Sequence, residues 1–225
     1  MATIAIASDK GGPGKTTTTC LISAELALDG YTVGVIDTDL NQQAAAFVQK
    51  AQIPGLTVYP DVREDSIVPA IQKAETLHDI VIVDLPGGSS TLAIKALCLS
   101  HLVLIPSQPN LPDVKAAMKT IGQVNDAQAM IKSPIARALI WTRFKSGFES
   151  RSARYVRETM EAEKMEAEKD VPILKSALME RAAFSEIHIT GKVPRQVDPN
   201  GAAAANVIAL TAEILNQIAV LRVAA

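Results

Sequence analysis

The sequence predicts an α/β fold: a doubly wound, mostly parallel sheet with helices on both faces, in a single domain spanning residues 1–225. Three observations carry this. Short continuous apolar runs, bounded by turn residues, alternate along the chain with helix-compatible stretches. Several of those runs end in an aspartate or a glycine loop, which is where open parallel sheets place their ligands. Apolar residues make up 48% of the chain but aromatic residues only 4%, so the core must be built from Ala, Ile, Leu and Val. That composition suits strands covered on both faces.

In chain order, Ile4-Ala5-Ile6-Ala7 reads as the first strand and residues 18–28 as the first helix, stopped by the C-cap signal Asp29-Gly30. Residues 32–36 form the second strand, ending in Asp37-Thr38-Asp39. An alanine-rich helix over 42–50, a Pro54-Gly55 turn, a short strand over 56–59 and a helix over 66–77 follow. Residues 79–84 read as a buried parallel strand with Asp84 at its C-terminal end. After the turn Pro86-Gly87-Gly88 come a helix over 91–99 and a strand over 102–105 closed by Pro106. Pro112-Asp113 starts a helix, and 136–141 is the next strand. A long charged helix over 150–169, a last short strand over 172–174 and an apolar closing helix over 201–221 complete the reading.

Between the first strand and the first helix lies Ser8-Asp9-Lys10-Gly11-Gly12-Pro13-Gly14-Lys15-Thr16-Thr17. Strand, glycine loop, helix is the context of a phosphate-binding loop. Glycines let backbone N–H groups close around phosphate oxygens, and the helix that begins near Gly14 points its positive end at the same anion. In this reading Gly11, Gly12, Pro13, Gly14, Lys15, Thr16 and Thr17 bind nucleotide phosphates. Lys15 neutralises the β and γ phosphates and the Thr16 hydroxyl holds Mg²⁺. Asp84, after four apolar residues, would orient water around that ion. The generic pattern asks for a glycine where this chain has Asp9, with a second lysine, Lys10, beside the gap.

Lys-Gly-Gly-Pro-Gly-Lys-Thr-Thr resembles the deviant Walker A loop of the ParA/MinD family, nearest to the small ParF-like plasmid-partition ATPases, and thus a P-loop NTPase-type fold. The resemblance implies ATP and Mg²⁺ as cofactors and a dimer in which Lys10 reaches the nucleotide of the opposite subunit. It makes Asp39 the residue that places the attacking water and Asp37 a support of the outer Mg²⁺ shell. It makes Lys10, Lys15 and Asp39 the catalytic set, and Pro86-Gly87-Gly88 a loop that senses the γ-phosphate. Where the family continues with Pro-Gln, this chain has Leu40-Asn41-Gln42. Thr142 and Arg143 stand where relatives contact adenine, and residues 197–200, with Pro199, are expected to form the other wall of the base pocket. The implied activity is ATP hydrolysis stimulated by a small DNA-binding or cargo adaptor, in a homodimer that binds DNA non-specifically and segregates a plasmid or positions another cargo. Two rivals are a metabolic P-loop ligase or kinase, and a nucleotide-binding scaffold that scarcely hydrolyses ATP.

The net charge of −2 excludes a global basic field, so any DNA contact must be local. Arg151, Arg154 and Arg157 recur every third residue and share part of one helical face, readable as a phosphate-contacting stripe or as an ordinary solvated face among glutamates. Cys20 and Cys98 lack metal spacing and read as reduced core cysteines; His78, His101 and His188 are isolated. The N-terminus enters the first strand directly and no apolar run reads as membrane-spanning. The expected location is the cytoplasm, on the nucleoid, with no membrane partner.

Overall fold

The structure, a computed structural model, describes residues 1–145, 154, 155, 158 and 171–224. Its strands are β1 (Ala2–Ile6), β2 (Val33–Asp37), β3 (Leu56–Tyr59), β4 (Ile80–Asp84), β5 (Leu102–Ser107), β6 (Ala136–Phe144) and β7 (Leu178–Met179). All pairings are parallel, in the order β3-β2-β4-β1-β5-β6-β7. The helices are α1 (Lys15–Leu28), α2 (Gln43–Ala51), α3 (Ile67–Leu77), α4 (Thr91–Cys98), α5 (Leu111–Ile131), α6 (Ala182–Thr190), α7 (Pro194–Val197) and α8 (Ala202–Ala224).

Strand alternation builds two cores. Ile4, Ile6, Ile80, Ile82, Leu102 and Leu104 face a layer with residues of α1, α2, α6 and α8. Ala5, Val81, Val83, Val103 and Ile105 face the opposite layer with α3, α4 and α5. Because successive side chains point to opposite faces, a strand buried on both must be apolar throughout, hence the unbroken runs. The acids stand only at the ends. Asp84 is the register partner of Ile6 in β1 and of Asp37 in β2, so both carboxylates sit where the glycine loop leaves the sheet.

Three expectations change. β5 runs through Pro106 to Ser107. Its pairing with β1 ends at Leu104, and only β6 continues beside it, which is where a strand tolerates a proline. Residues 172–174 form no named strand: Ile173 makes one isolated bridge to Leu139, and the last strand is instead Leu178–Met179. The closing helix is long and apolar enough over Ala202–Val220 to span a membrane by length and composition alone, where the sequence reading expects no run of that kind. Its inner face, with Ala204, Val207, Leu210, Ile214 and Ile218, is nonetheless buried in the first core. The 150–169 helix lies largely outside the described residues; Arg154, Tyr155 and Glu158 are helical.

Candidate functional site

Gly14 takes φ +97°, a left-handed conformation that favours glycine, and turns the loop into α1 at the N-cap. The first turn of α1 leaves its amides without helical acceptors, at the positive end of the helix dipole. Lys15 is 7% exposed and donates from Nζ to the Lys10 carbonyl at 3.2 Å, curling the loop around its own ammonium. Burial lowers its pKa, while the nearby charges of Asp84 and Asp39 oppose that shift. Asp84 is fully buried. Its Oδ1 accepts from the Thr19 hydroxyl at 3.1 Å and its Oδ2 has no hydrogen-bond partner. Burial pushes its carboxyl up to about 7, with Asp37 adding to the rise and Thr16, Thr19 and Lys15 opposing it. A buried carboxylate oxygen left unpaired is costly unless something cationic or donating meets it. That orphaned atom and the Thr16 hydroxyl fit a Mg²⁺ ion. Among the described residues no group of three or more His, Cys, Asp or Glu could hold a metal. Few protein donors suit Mg²⁺, which keeps waters and phosphate oxygens as ligands.

The outer half of the loop is tied to α5. The Asp9 amide donates to Thr120 Oγ1 at 2.9 Å, and the Asp9 carboxylate meets Gln123 Nε2 at 3.2 Å and Lys119 Nζ at 3.4 Å. Lys10 Nζ lies 2.5 Å from Asp113 Oδ1, and Gln108 Nε2 donates to the Gly12 carbonyl at 3.2 Å. These bonds account for an aspartate where the generic loop has glycine: Asp9 is a tether. On its other side the loop meets Gly87, where a Cβ would stand 3.0 Å from the Gly11 nitrogen, so a side chain there would push the two segments apart by a few tenths of an ångström. Gly88 N donates to the Ser8 carbonyl at 3.3 Å. The Pro86-Gly87-Gly88 turn therefore rests directly on the phosphate loop.

Asp37 is fully buried rather than solvated. Its Oδ1 accepts from the Asp39 amide at 3.0 Å and its Oδ2 from the Ala45 amide at 2.8 Å, bracing the loop and the start of α2. Burial raises its pKa, and the bond from Ala45 works against that. Asp39 is half-buried and accepts from both the amide and the side-chain nitrogen of Asn41, at 2.9 and 3.0 Å. Asn41 thus folds back onto the acid, Gln42 turns the chain at φ 50°, and Leu40 is left 76% exposed.

Thr142 Oγ1 donates to the Pro13 carbonyl at 2.7 Å, fixing the end of β6 against the loop. Arg143 follows at φ 51°, exposed, beside a bulge between Thr142 and Phe144. A cavity of about 170 Å³ opens there, lined by Gly14, Thr17, Thr142 and Arg143 and, opposite them, by Leu178 to Arg181, Phe184 and Ser185. Residues 197–200, expected to form the other wall of the base pocket, do not line this cavity, and Pro199 is exposed; the short edge strand β7 brings residues 178–181 to it. Of the arginine stripe, Arg151 and Arg157 lie outside the described residues and Arg154 is exposed on a helix. Sequence reading missed Thr19, Gln108, Asp113 and Thr120, whose roles come from side chains meeting across the sheet end rather than from spacing.

A family model described as VirC1 protein matches residues 1–222. The ParA protein of Rhizobium radiobacter is 30% identical over 188 residues, covering 83% of this chain and 82% of the relative. The maintenance of carboxysome distribution protein A of Halothiobacillus neapolitanus is 29% identical over 225 residues, covering 96% and 95%. Among solved structures, apo McdA from Cyanothece superposes with a TM-score of 0.80 at 17% identity, over 96% of this chain and 99% of that one, a likeness of fold.

Proposed function

This chain belongs to the VirC1 protein family, within the ParA/MinD group, and on that premise we propose that it is a Mg²⁺-dependent ATPase that positions a plasmid or another large cargo. The observation that carries this is the fully buried Asp84, whose Oδ2 has no hydrogen-bond partner, together with a loop whose Lys15 is buried. A loop built only as a turn would leave neither an unpaired buried carboxylate oxygen nor a desolvated ammonium.

In this reading the amides of residues 11–17 and Lys15 hold the triphosphate, and Thr16 and Asp84 hold Mg²⁺, Asp84 through water. When bound, the ion neutralises charge on the β- and γ-phosphates. Asp39, anchored by Asn41, positions the attacking water, and Asp37 supports that shell through the backbone it braces. Gly87 and Gly88, in contact with the loop, carry the state of the γ-phosphate outward. Thr142 and Arg143 stand at the nucleoside end. ATP joins two subunits, Lys10 of each acts on the nucleotide of the other, the dimer binds DNA non-specifically, and an adaptor protein triggers hydrolysis and release.

The test is phosphate release from ATP by the purified chain, with Mg²⁺ and with a chelator, alongside sedimentation with a slowly hydrolysed ATP analogue. Mg²⁺-dependent turnover together with analogue-dependent dimers supports the reading. Binding of ATP followed by phosphorylation or ligation of a small acceptor would replace it with the metabolic alternative.

A further inference from the structure

The wall of the cavity opposite Thr142 has little of its own to hold it. β7 is two residues long and lies at the edge of the sheet, paired with β6 only at Thr142 and Phe144. The Glu180 amide adds one bond to the Phe144 carbonyl at 2.8 Å, Leu178 and Phe184 are buried in the first core, and the remaining hydrogen bonds to this segment come from the closing helix. Asn206 Nδ2 donates to the Ala177 carbonyl at 2.7 Å, and Asn206 Oδ1 accepts from the Met179 amide at 2.9 Å. Seven residues on, the two carboxylate oxygens of Glu213 accept from the amides of Lys175 and Ser176, each at 2.8 Å. A spacing of seven is two helical turns, so both side chains leave one face of α8 and grip one continuous backbone segment. That segment leads directly into Arg181, whose Nε is buried without a hydrogen-bond partner and which lines the cavity.

We infer that Asn206 and Glu213 are positioning residues for the nucleoside end of the site: α8 sets the wall against which the base and ribose bind, while the phosphate loop holds the triphosphate independently of it. This rests on the nucleotide-binding reading above. The two halves of the site are then separable. Phosphates meet a loop braced by α5, and the nucleoside meets a wall braced by α8.

The experiment compares Mg²⁺-ATP with Mg²⁺-tripolyphosphate by calorimetric titration of the full chain. Asn206→Ala removes two hydrogen bonds from the wall and is expected to weaken ATP about tenfold, on the scale of such bonds, while leaving tripolyphosphate unchanged. Asn206→Asp keeps the acceptor for Met179 but loses the donor for Ala177, and should fall between. Glu213→Gln retains one acceptor and provides a milder second variant should Asn206→Ala not fold; it is expected to weaken ATP alone by a few-fold. Equal weakening of both ligands, or of neither, overturns the inference and leaves the ATPase reading intact. A wild-type chain that binds neither ligand overturns that reading itself.

Discussion

Lys10 Nζ is paired with Asp113 Oδ1 of its own chain at 2.5 Å, across the mouth of the phosphate loop. Asp113 is almost wholly buried, held at the first turn of α5 by the Asn110 cap, whereas the Lys10 side chain is 47% exposed. The lysine thus lies at the surface with its charge on a fixed anchor, and reaching a second subunit means leaving that anchor. Removing Lys10 leaves the buried Asp113 with only the Gln108 amide on its other oxygen, so the variant is expected to lose some stability and its fold is checked by circular dichroism before dimerisation is scored. Lys10→Ala is expected to bind ATP as a monomer, to form no dimer with a slowly hydrolysed analogue, and to lose partner-stimulated turnover. Sedimentation of variant and wild type decides. Equal dimerisation with normal turnover makes Lys10 a surface lysine.

Lys15 and Thr16 separate charge from metal. Lys15 is the buried cation of the loop, and Lys15→Ala should abolish tight ATP binding with or without Mg²⁺. Thr16→Ala should weaken only the Mg²⁺-dependent part. Nucleotide titrations in Mg²⁺ and in chelator distinguish the two, and unchanged affinity in Lys15→Ala would remove the site from this loop.

For Asp39, held by Asn41 on Oδ1, the expected variant phenotype is a trapped one. Asp39→Ala should bind ATP and dimerise yet hydrolyse about a hundredfold more slowly, the scale of a lost positioning group. Single-turnover phosphate release is the measurement. Asn41→Ala, which frees the carboxylate from its tether, should slow turnover less.

DNA binding, where present, rests on counterion release and must fall steeply with salt. Replacing Arg151, Arg154 and Arg157 together with glutamate should abolish ATP-dependent retention on non-specific DNA and leave ATP affinity unchanged. A triple variant that still binds DNA moves the contact surface elsewhere.

The parts of the site legible in the sequence are those that a single segment encodes. A strand buried on both faces must be apolar until it ends, so Asp37 and Asp84 announced themselves, as did the loop between β1 and α1. What could not be read arises between segments. Asp113 reads as an ordinary helix-start acid, and nothing in its spacing shows that Lys10 folds onto it. β7 is too short to have a period, and its position is set by Asn206 and Glu213 from a helix that reads only as apolar and alanine-rich. That is why residues 178–185, which line the cavity beside Thr142, are absent from the sequence reading, which puts the other wall of the base pocket at 197–200.

The unpaired oxygen of Asp84 has a consequence for stability. In the folded chain burial holds its carboxyl at about 7, against 3.8 for an ordinary aspartate. A group whose folded pKa is raised keeps a proton that the unfolded chain releases. From this group, therefore, stability is greatest below about pH 4, declines as pH rises towards 7, and is level beyond it. Asp37 and Glu25, also raised by burial, act in the same direction. Asp84→Asn cannot ionise and removes this group's share of the decline. In chelator it should match wild type below about pH 4 and exceed it at pH 8, read as a higher urea midpoint. Adding Mg²⁺-ATP at pH 8 should reverse the order, because the bound cation favours the carboxylate and stabilises only the state that holds it. If Asp84→Asn is instead the less stable protein at pH 8 without metal, the charge of Asp84 is itself a structural element and Oδ2 is not a place kept for a cation.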